Sequence, residues 1–361
     1  MSGPTSKKNL RIVAAVVIIA IVIGGGVLAY QYFSSNSTST TSISSTTMPS
    51  SPLILYSADA YVAESTTLEN AFTNSTGIMM APPKAGGSLA LAQQIAEGNP
   101  VSVFLAVSHS AMRPKYLGNQ SSGWTIAFAS DQMAIAYSNA STQNAATSSV
   151  IAAYNSAVAS NTTQAWDDFF SNVTSGSVKV GIANPNADPA GYRGWIVLEA
   201  AGQAYANSST FFGNRIVTNN GNITGASAAD LIAPLETGQI QFLFIYKSAA
   251  IAHKLNYLQL PDQINLGDPK YNEFYSQFSY TLTRGVESGE VITLYITVPA
   301  DSTDTADSLQ FVVFVIKNSP TLLSQYGLIS IAPARLYNST TIPQPLQELL
   351  TQGYLTPSGP L

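Results

Sequence analysis

The sequence predicts an α/β fold with helices on both sheet faces, preceded by an N-terminal transmembrane helix. Short apolar runs that fit buried strands alternate with segments of helical spacing, and one long uncharged apolar run lies near the N-terminus. The chain has 361 residues, enough for a membrane segment followed by one two-lobed domain or two ordinary domains.

The membrane segment is predicted at residues 12–32, which carry no charge and are rich in Val, Ile and Ala. An apolar helix of about 20 residues crosses a hydrocarbon core of about 30 Å. Basic residues precede this run, and none follows it until Lys84. Residues 1–11 are therefore predicted to be cytoplasmic and the remainder extracellular. A cleaved signal peptide is the alternative interpretation of the same run.

A stalk rich in Ser and Thr is predicted at residues 33–51, because no apolar core can be built from it. The folded part then begins near residue 52. Sequons of the form Asn-x-Ser/Thr are spread along the chain and favour a glycosylated surface outside the cytoplasm. They lie at Asn36, Asn74, Asn119, Asn139, Asn161, Asn172, Asn207, Asn222 and Asn338.

Composition excludes several functional classes. Charged residues make up 10% of the chain and the net charge is −5, which argues against a nucleic-acid surface. The absence of cysteine excludes disulfides, thiolate metal sites and a Cys nucleophile. The chain has only His109 and His253 as histidines, which disfavours histidine-based catalysis or metal binding. We therefore predict no enzyme activity, no metal and no cofactor.

The elements of the folded part follow from apolar runs and helical spacing. Leu68 and Phe72, for example, are four residues apart and share one helix face. Strands are predicted at residues 53–56, 101–107, 124–137 (two extended segments around Ser130), 178–183, 241–246 and 291–298. Helices are predicted at residues 65–72, 88–96, 166–170, 194–206, 226–235, 309–317 and 320–326.

Three of the predicted helices begin like anion-binding sites. Ser88 follows two glycines, Asp188 precedes a proline at the start of a helix, and Ser227 lies among small residues at a third start. Backbone N–H groups at a helix N-terminus, together with a hydroxyl group, can bind an anion. Ordinary helix capping is the alternative at each position.

Seven stretches, in the same order as in the family, resemble the archaeal tungstate- and molybdate-binding proteins of ABC importers, which are related to bacterial molybdate-binding proteins. The most specific stretch is DPAGYR at residues 188–193. The complete set covers residues 55–60, 85–88, 128–137, 184–193, 234–239, 244–249 and 260–266.

The resemblance implies a two-lobed periplasmic-binding-protein-like fold of type II, with the ligand cleft between the lobes. It implies that residues 52–128 and 298–361 form lobe one and that residues 129–297 form lobe two. The implied ligand is molybdate or tungstate, and the implied partners are the permease of the importer and the membrane, without nucleic acid. A monomer is expected.

The resemblance also implies a set of oxyanion-binding residues, in which hydroxyl and backbone N–H groups donate to the ligand. Carried over position by position, the set is Ser57, Ala60, Ser88, Asp188, Ala190, Gly191, Ser227, Ala228 and Tyr246.

Two positions depart from the family pattern. Ala60 stands where the family commonly has a serine, and Asp59 before it is expected to point away from an anion or to contact Lys84 or Lys247. Archaeal members carry two carboxylates that make the metal centre six-coordinate; Asp188 matches one, but Ile245 occupies the position of the other. We therefore expect Asp188 to act mainly as a helix cap and the anion to stay four-coordinate.

Alternatives remain open at this stage. The ligand could be another anion, such as sulfate or phosphate, or an unrelated small solute. A tethered extracellular hydrolase is an alternative from another class, although no base for a nucleophile is evident. A surface protein with a vestigial pocket is a third.

Overall fold

Two large sheets organise residues 51–361, the part of the chain that this computed structural model describes. The strands are β1 (Leu55–Ala58), β2 (Lys84–Gly86), β3 (Val103–Ala106), β4 (Trp124–Ser130), β5 (Met133–Tyr137), β6 (Val180–Gly181), β7 (Asn222–Ile223), β8 (Phe242–Tyr246), β9 (Asn256–Gln259), β10 (Ser279–Leu282), β11 (Gly285–Ser288), β12 (Thr293–Thr297), β13 (Ile329–Asn338) and β14 (Leu355–Gly359).

The larger sheet has seven strands in the order β14-β13-β4-β12-β3-β1-β2, and the smaller has five in the order β7-β6-β8-β5-β9. Both are mixed, since β1 pairs in parallel with β2 and β3, whereas β12 runs antiparallel to β3 and β4. Strands β10 and β11 form a separate hairpin. Near-continuous burial of β1, β3, β4 and β8 explains their apolar sequences.

The chain passes between the two large sheets twice. It leaves the larger sheet after β4 through Asp131 and Gln132, and it returns after the hairpin through residues 289–292 into β12. The strands of the larger sheet therefore come from residues 55–130 and 293–359, and those of the smaller sheet from residues 133–259. The assignment of lobes to these two chain segments stays a prediction.

Helices cover the sheets and carry most of the remaining core. They are α1 (Val62–Thr76), α2 (Ser88–Ala96), α3 (Pro114–Leu117), α4 (Ala145–Ser160), α5 (Thr163–Val173), α6 (Pro189–Ala206), α7 (Phe211–Thr218), α8 (Ile232–Glu236), α9 (Lys247–Ala252), α10 (Asn272–Tyr275), α11 (Thr305–Leu322) and α12 (Gln344–Thr351). Beside the larger sheet, the Phe72 ring of α1 meets Phe311 of α11 edge to face, with ring centroids 5.1 Å apart.

Some predicted elements differ from the observed ones. The predicted strand at residues 178–183 is only Val180–Gly181, because it pairs with the equally short β7. The predicted helix at residues 226–235 begins later, as a 3-10 turn at Ala229–Leu231 that leads into α8. The two helices predicted at 309–317 and 320–326 are one helix to Leu322 and a 3-10 turn, with Pro320 in the last turn of α11.

Among residues 51–361, no helix has the length and apolar character needed to cross a membrane. The predicted anchor at residues 12–32 and the predicted stalk lie outside the described residues.

Two adjacent phenylalanines of α7, one buried and one exposed, allow a test of the packing. Phe212 is fully buried with its ring 5.3 Å from that of Phe170, whereas Phe211, its neighbour in α7, is 40% exposed. Phe212→Ala removes a packed ring, so we expect it to lower the free energy of unfolding by about 3–5 kcal/mol. Phe211→Ala should lower it by less than about 1 kcal/mol in the same urea titration. Equal losses would contradict this packing.

Candidate functional site

The first site loop joins β2 to α2. Ser88 begins α2, is fully buried, and its hydroxyl oxygen accepts a hydrogen bond from the Val107 N–H at 3.1 Å. Val107 directly follows β3 and Ser88 follows β2, so the two strands that flank β1 fix the position of the serine. No acceptor for the Ser88 hydroxyl proton lies within hydrogen-bond distance in the described part of the chain, which leaves this proton available to a ligand.

The loop before α2 is in direct contact with the loop before α6. A Cβ atom added to Gly87 would lie 2.2 Å from the Ala187 carbonyl oxygen and 3.1 Å from the Asp188 Cα atom. Only glycine allows two backbones to approach so closely. The contact places Ser88, at the edge of the larger sheet, next to the start of a helix that packs on the smaller sheet.

Asp188 caps α6 and holds a second backbone segment as well. One carboxylate oxygen accepts from the Ala190 N–H at 2.9 Å, and the other accepts from the Ala228 N–H at 2.8 Å. The side chain is 2% exposed. The expected capping role is therefore present. The Ala190 and Ala228 N–H groups, which the resemblance assigns to the ligand, donate to this carboxylate in the structure.

Gly191 and Ser227 lie on the two segments that Asp188 joins. The Gly191 N–H donates to the Asp188 carbonyl at 3.0 Å, and a Cβ at this position would lie 2.4 Å from the Ala183 carbonyl oxygen. Ser227 is nearly buried, and its N–H donates to an Asp230 carboxylate oxygen at 3.0 Å. Both backbone groups are thus used within the protein.

Among residues 51–361, Asp59 forms no ion pair with a lysine, which corrects one of the two expectations for this residue. Its carboxylate accepts a hydrogen bond from the Ala60 N–H at 2.8 Å. Lys84 instead donates to the Tyr56 hydroxyl at 2.7 Å, and Lys247 lies over the Tyr257 ring. The backbone of the turn after β1, and not an ion pair, therefore holds this carboxylate.

The Asp59 and Asp188 carboxyl groups interact as a buried pair. Burial and the nearby Asp59 raise the pKa of Asp188 to about 7, although the Ala228 and Ala190 N–H groups and Arg193 act in the opposite direction. Burial also raises the pKa of Asp59, against the effect of its hydrogen bond with the Ala60 N–H. Close to neutral pH, this pair therefore holds a proton part of the time.

Ser57 is fully buried at the end of β1, and its hydroxyl group is used within the same sheet region. Its oxygen lies 2.7 Å from the Ser65 hydroxyl oxygen and 3.1 Å from the Ala58 carbonyl oxygen. Ala60, three residues later, is 7% exposed and its N–H is taken by Asp59. The hydroxyl of Ser57 and the N–H of Ala60 are therefore less available to a ligand than the hydroxyl of Ser88.

Tyr246 ends β8 with its hydroxyl oxygen accepting from the Arg193 guanidinium at 2.8 Å. Its ring stacks on that of Tyr61, with centroids 5.6 Å apart. The Tyr61 hydroxyl donates to Asp131, the residue at which the chain leaves the larger sheet. Burial raises the pKa of Tyr246 well above its ordinary value, so the hydroxyl keeps its proton.

Ile245 is buried in β8 and pairs with Ala134 of β5. Successive residues of a strand face opposite sides of the sheet, so its side chain lies on the face opposite to that of Tyr246. It has no oxygen to offer a ligand.

Sequence reasoning missed Arg193, Tyr61 and Asp131 as parts of this arrangement. Arg193 belongs to the DPAGYR stretch and comes three residues after Ala190, on the same face of α6. The spacing of three residues between Ala190 and Arg193 was the sequence signal that Arg193 lies near the site. Nothing local to Tyr61 or Asp131 indicates that they meet, because they are 70 residues apart.

Within residues 51–361, no group of three or more His, Cys, Asp or Glu side chains is arranged to hold a metal ion. A cavity of about 380 Å³ between α1, α11 and α12, lined by Phe72 and Phe314, lies on the larger sheet away from these loops.

Residues 53–327 match the family model described as bacterial extracellular solute-binding protein. The chain belongs to this solute-binding family. It is 37% identical over 318 residues to an uncharacterized solute-binding protein of Sulfurisphaera tokodaii, covering 86% of this chain and 84% of the relative. It is 36% identical to one of Saccharolobus solfataricus over 86% of this chain and 78% of the relative.

Two solved structures share the fold. The periplasmic molybdate-binding protein of Azotobacter vinelandii is similar with a TM-score of 0.54 and 15% identity, over 77% of this chain and 98% of that one. The sulfate-binding protein of Mycobacterium tuberculosis is similar with a TM-score of 0.51 and 15% identity, over 85% and 92%. At this identity the likeness establishes the periplasmic-binding-protein-like fold alone, as the sequence predicts.

Family membership confirms the prediction of a binding protein rather than an enzyme, so the hydrolase alternative is dropped. It also agrees with the predicted location of the folded part outside the cell.

The contact at Gly87 gives a test that needs no ligand. The backbone there has φ −60° and ψ 137°, which alanine adopts readily, so the clash with Ala187 is the obstacle. We expect Gly87→Ala to lower the free energy of unfolding by about 1–3 kcal/mol. The control Gly213→Ala, in α7 with no neighbouring atom within 4 Å of the added Cβ, should be neutral or stabilising by up to about 1 kcal/mol. Unchanged stability of Gly87→Ala would contradict the close approach.

Proposed function

We propose that this protein is the substrate-binding component of an ABC importer and that it binds a tetrahedral oxyanion of the molybdate or tungstate type. The observation that carries the proposal is the convergence of two buried hydroxyl groups on the Asp188 loop. Ser88 is next to that loop through Gly87, and Tyr246 is hydrogen-bonded to Arg193 of α6, the helix that Asp188 caps. Both hydroxyl oxygens accept hydrogen bonds from protein donors, which leaves their protons for a ligand.

The binding cleft in this proposal lies between a lobe built on the larger sheet and a lobe built on the smaller one. We place the changeover between lobes at residues 131–132 and 289–292, where the chain passes between sheets. Two connections of this kind are suited to a hinge motion that opens and closes a cleft. We also propose that residues 12–32 form a membrane anchor, that residues 33–51 form a glycosylated stalk and that the protein is a monomer.

Oriented neutral donors suit an oxyanion that must be bound and then released to a permease. Each hydrogen bond to a charged group contributes roughly 1.5–3 kcal/mol, and closing the cleft offsets part of this. Asp188 stands among the donors. An oxyanion therefore binds either while this carboxyl group is protonated or after it releases the Ala190 and Ala228 N–H groups.

A thermal-shift panel tests the ligand class directly. We expect molybdate and tungstate to raise the melting temperature and the smaller sulfate and phosphate to raise it less. A ligand at 100 times its dissociation constant stabilises the folded state by about 2.7 kcal/mol. A neutral sugar serves as the control. A shift with sulfate or phosphate alone would move the protein to another anion specificity, and no shift with any oxyanion would overturn the proposal.

Removal of the two hydroxyl groups tests the site. Ser88→Ala and Tyr246→Phe each delete one donor, so each should weaken molybdate binding by about 1–3 kcal/mol, ten- to a hundredfold, in titration calorimetry. Tyr354→Phe, which removes a hydroxyl from a side chain that is 43% exposed, is the matched control and should bind as the wild type does. Wild-type affinity in both site variants would remove these residues from the binding site.

The Asp59–Asp188 pair predicts pH-dependent binding. A charged carboxylate repels an anion, so binding favours the protonated pair. The pKa of Asp188 is about 7. The charged and titratable groups around the pair are Asp230, Arg193 and Tyr246. Affinity should be constant in mild acid and fall as the pH rises through about 7, by up to about tenfold per pH unit for one proton.

Calorimetry between pH 5.5 and 8.5 measures this dependence. Asp188→Asn keeps an oxygen for one backbone N–H group but cannot ionise, so its profile should be much flatter. A flat wild-type profile, or an unchanged slope in the Asn variant, would show that this carboxyl group does not face the ligand.

A further inference from the structure

Arg193 is a fully buried cation with an unused donor. It is 1% exposed, and one terminal nitrogen, Nη1, donates to the Tyr246 hydroxyl at 2.8 Å. The other, Nη2, is buried without a hydrogen-bond partner among residues 51–361. A buried charged donor that lacks a partner is costly. Such a group is rare in a folded protein unless something else satisfies it.

The guanidinium fixes the polarity of the Tyr246 hydroxyl. Arginine has only donors, so the tyrosine oxygen must act as the acceptor in this bond, and its own proton is directed elsewhere. The rings of Tyr192 and Tyr246 lie 5.4 and 5.7 Å from the guanidinium carbon and hold it from two sides. Arg193 thus presents Tyr246 as a donor rather than leaving its rotation free.

The positive charge of Arg193 also affects the net charge of the site. The carboxyl groups of Asp59 and Asp188 lie at the site loops, and Glu290 is near Arg193 on the other side. The nearby lysines are engaged elsewhere, since Lys84 donates to Tyr56 and Lys247 lies over Tyr257. Among the side chains described at these loops, Arg193 is the cation that can offset a negative ligand.

We propose that Arg193 is the charge-bearing binding residue of this site, orienting the Tyr246 hydroxyl proton through Nη1 and offering Nη2 to an oxygen of the bound anion. This inference rests on the proposed function. It adds a formal positive charge to a site otherwise formed from neutral donors and carboxyl groups. It therefore predicts selection of anions over neutral solutes of the same size, and it assigns that selection to one residue.

Titration calorimetry with molybdate tests the proposal on the full-length wild type and four full-length variants. Arg193→Met removes charge and donors and should weaken binding at least a hundredfold. Arg193→Gln retains a donor without charge, and Arg193→Lys retains charge without the planar fork, so lysine should bind more tightly than glutamine. Arg335→Met is the control for the loss of one positive charge, because Arg335 is an exposed residue of β13. It should stay within twofold of the wild type.

A double variant separates positioning from a general loss of structure. If Arg193 acts partly through the hydroxyl, Tyr246→Phe should weaken binding less in the Arg193→Met background than in the wild type. The pH at which binding weakens should also rise in Arg193→Met, since Asp188 loses a neighbouring cation. A purely structural role would leave the effect of Tyr246→Phe the same in both backgrounds.

The outcomes distinguish this inference from the proposed function. If the wild type binds molybdate and the methionine, glutamine and lysine variants all bind as tightly, the role of Arg193 is overturned while the function stands. If the wild type binds no oxyanion, the function fails and this inference fails with it. If Arg193→Met does not fold, by circular dichroism, the comparison of the lysine and glutamine variants decides, and equal affinities would refute the contribution of charge.

Discussion

The structure of the site depends on the buried Asp188 carboxylate. Its two oxygens bind N–H groups of Ala190 and Ala228, which are far apart in the chain, and so fix the start of α6 against the turn that leads into α8. A buried carboxylate that accepts two backbone bonds is a rigid connection. The Gly87 loop packs on the same segment, and Arg193 extends from the same helix towards Tyr246. The positions of both hydroxyl donors therefore depend on it.

This arrangement differs from a site made of free neutral donors. The Ala190 and Ala228 N–H groups, which would face an anion, are already satisfied by a carboxylate. An anion and the ionised carboxylate compete for the same N–H groups. Protonation removes that competition, because a neutral carboxyl group can itself donate to an anion oxygen. The hydrogen-bonding state of Asp188 and the occupancy of the site are thus linked.

Much of the fold could be predicted from sequence, and less of the site. Strands such as β3 and β8 are apolar runs with turn residues at their ends, and α2 begins at the predicted residue. Strands β2, β13 and β14 are exposed along much of their length and β9 is only partly buried, so they lack that signal. The helix start after Asp188 was visible through its cap, and the one at Ser88 through the two glycines before it. The burial of Asp59 beside Asp188 was not, because it depends on contacts between segments more than a hundred residues apart.

The low charge content of the chain gives these few buried groups their influence. Within residues 51–361 the only ion pair joins Lys270 to Asp268, at the surface, so the acids of the site are not neutralised by surrounding pairs. Burial alone raises the pKa of Glu69 to about 8, and burial is also the largest cause of the raised pKa values of Asp59 and Asp188. Low-dielectric surroundings penalise a net charge, whether it is positive or negative. A cleft that takes up a proton on the carboxyl pair and an anion beside Arg193 changes its net charge less than one that takes up the anion alone. If the protein binds an oxyanion as proposed, closure around proton and anion together therefore costs less than closure around the anion alone.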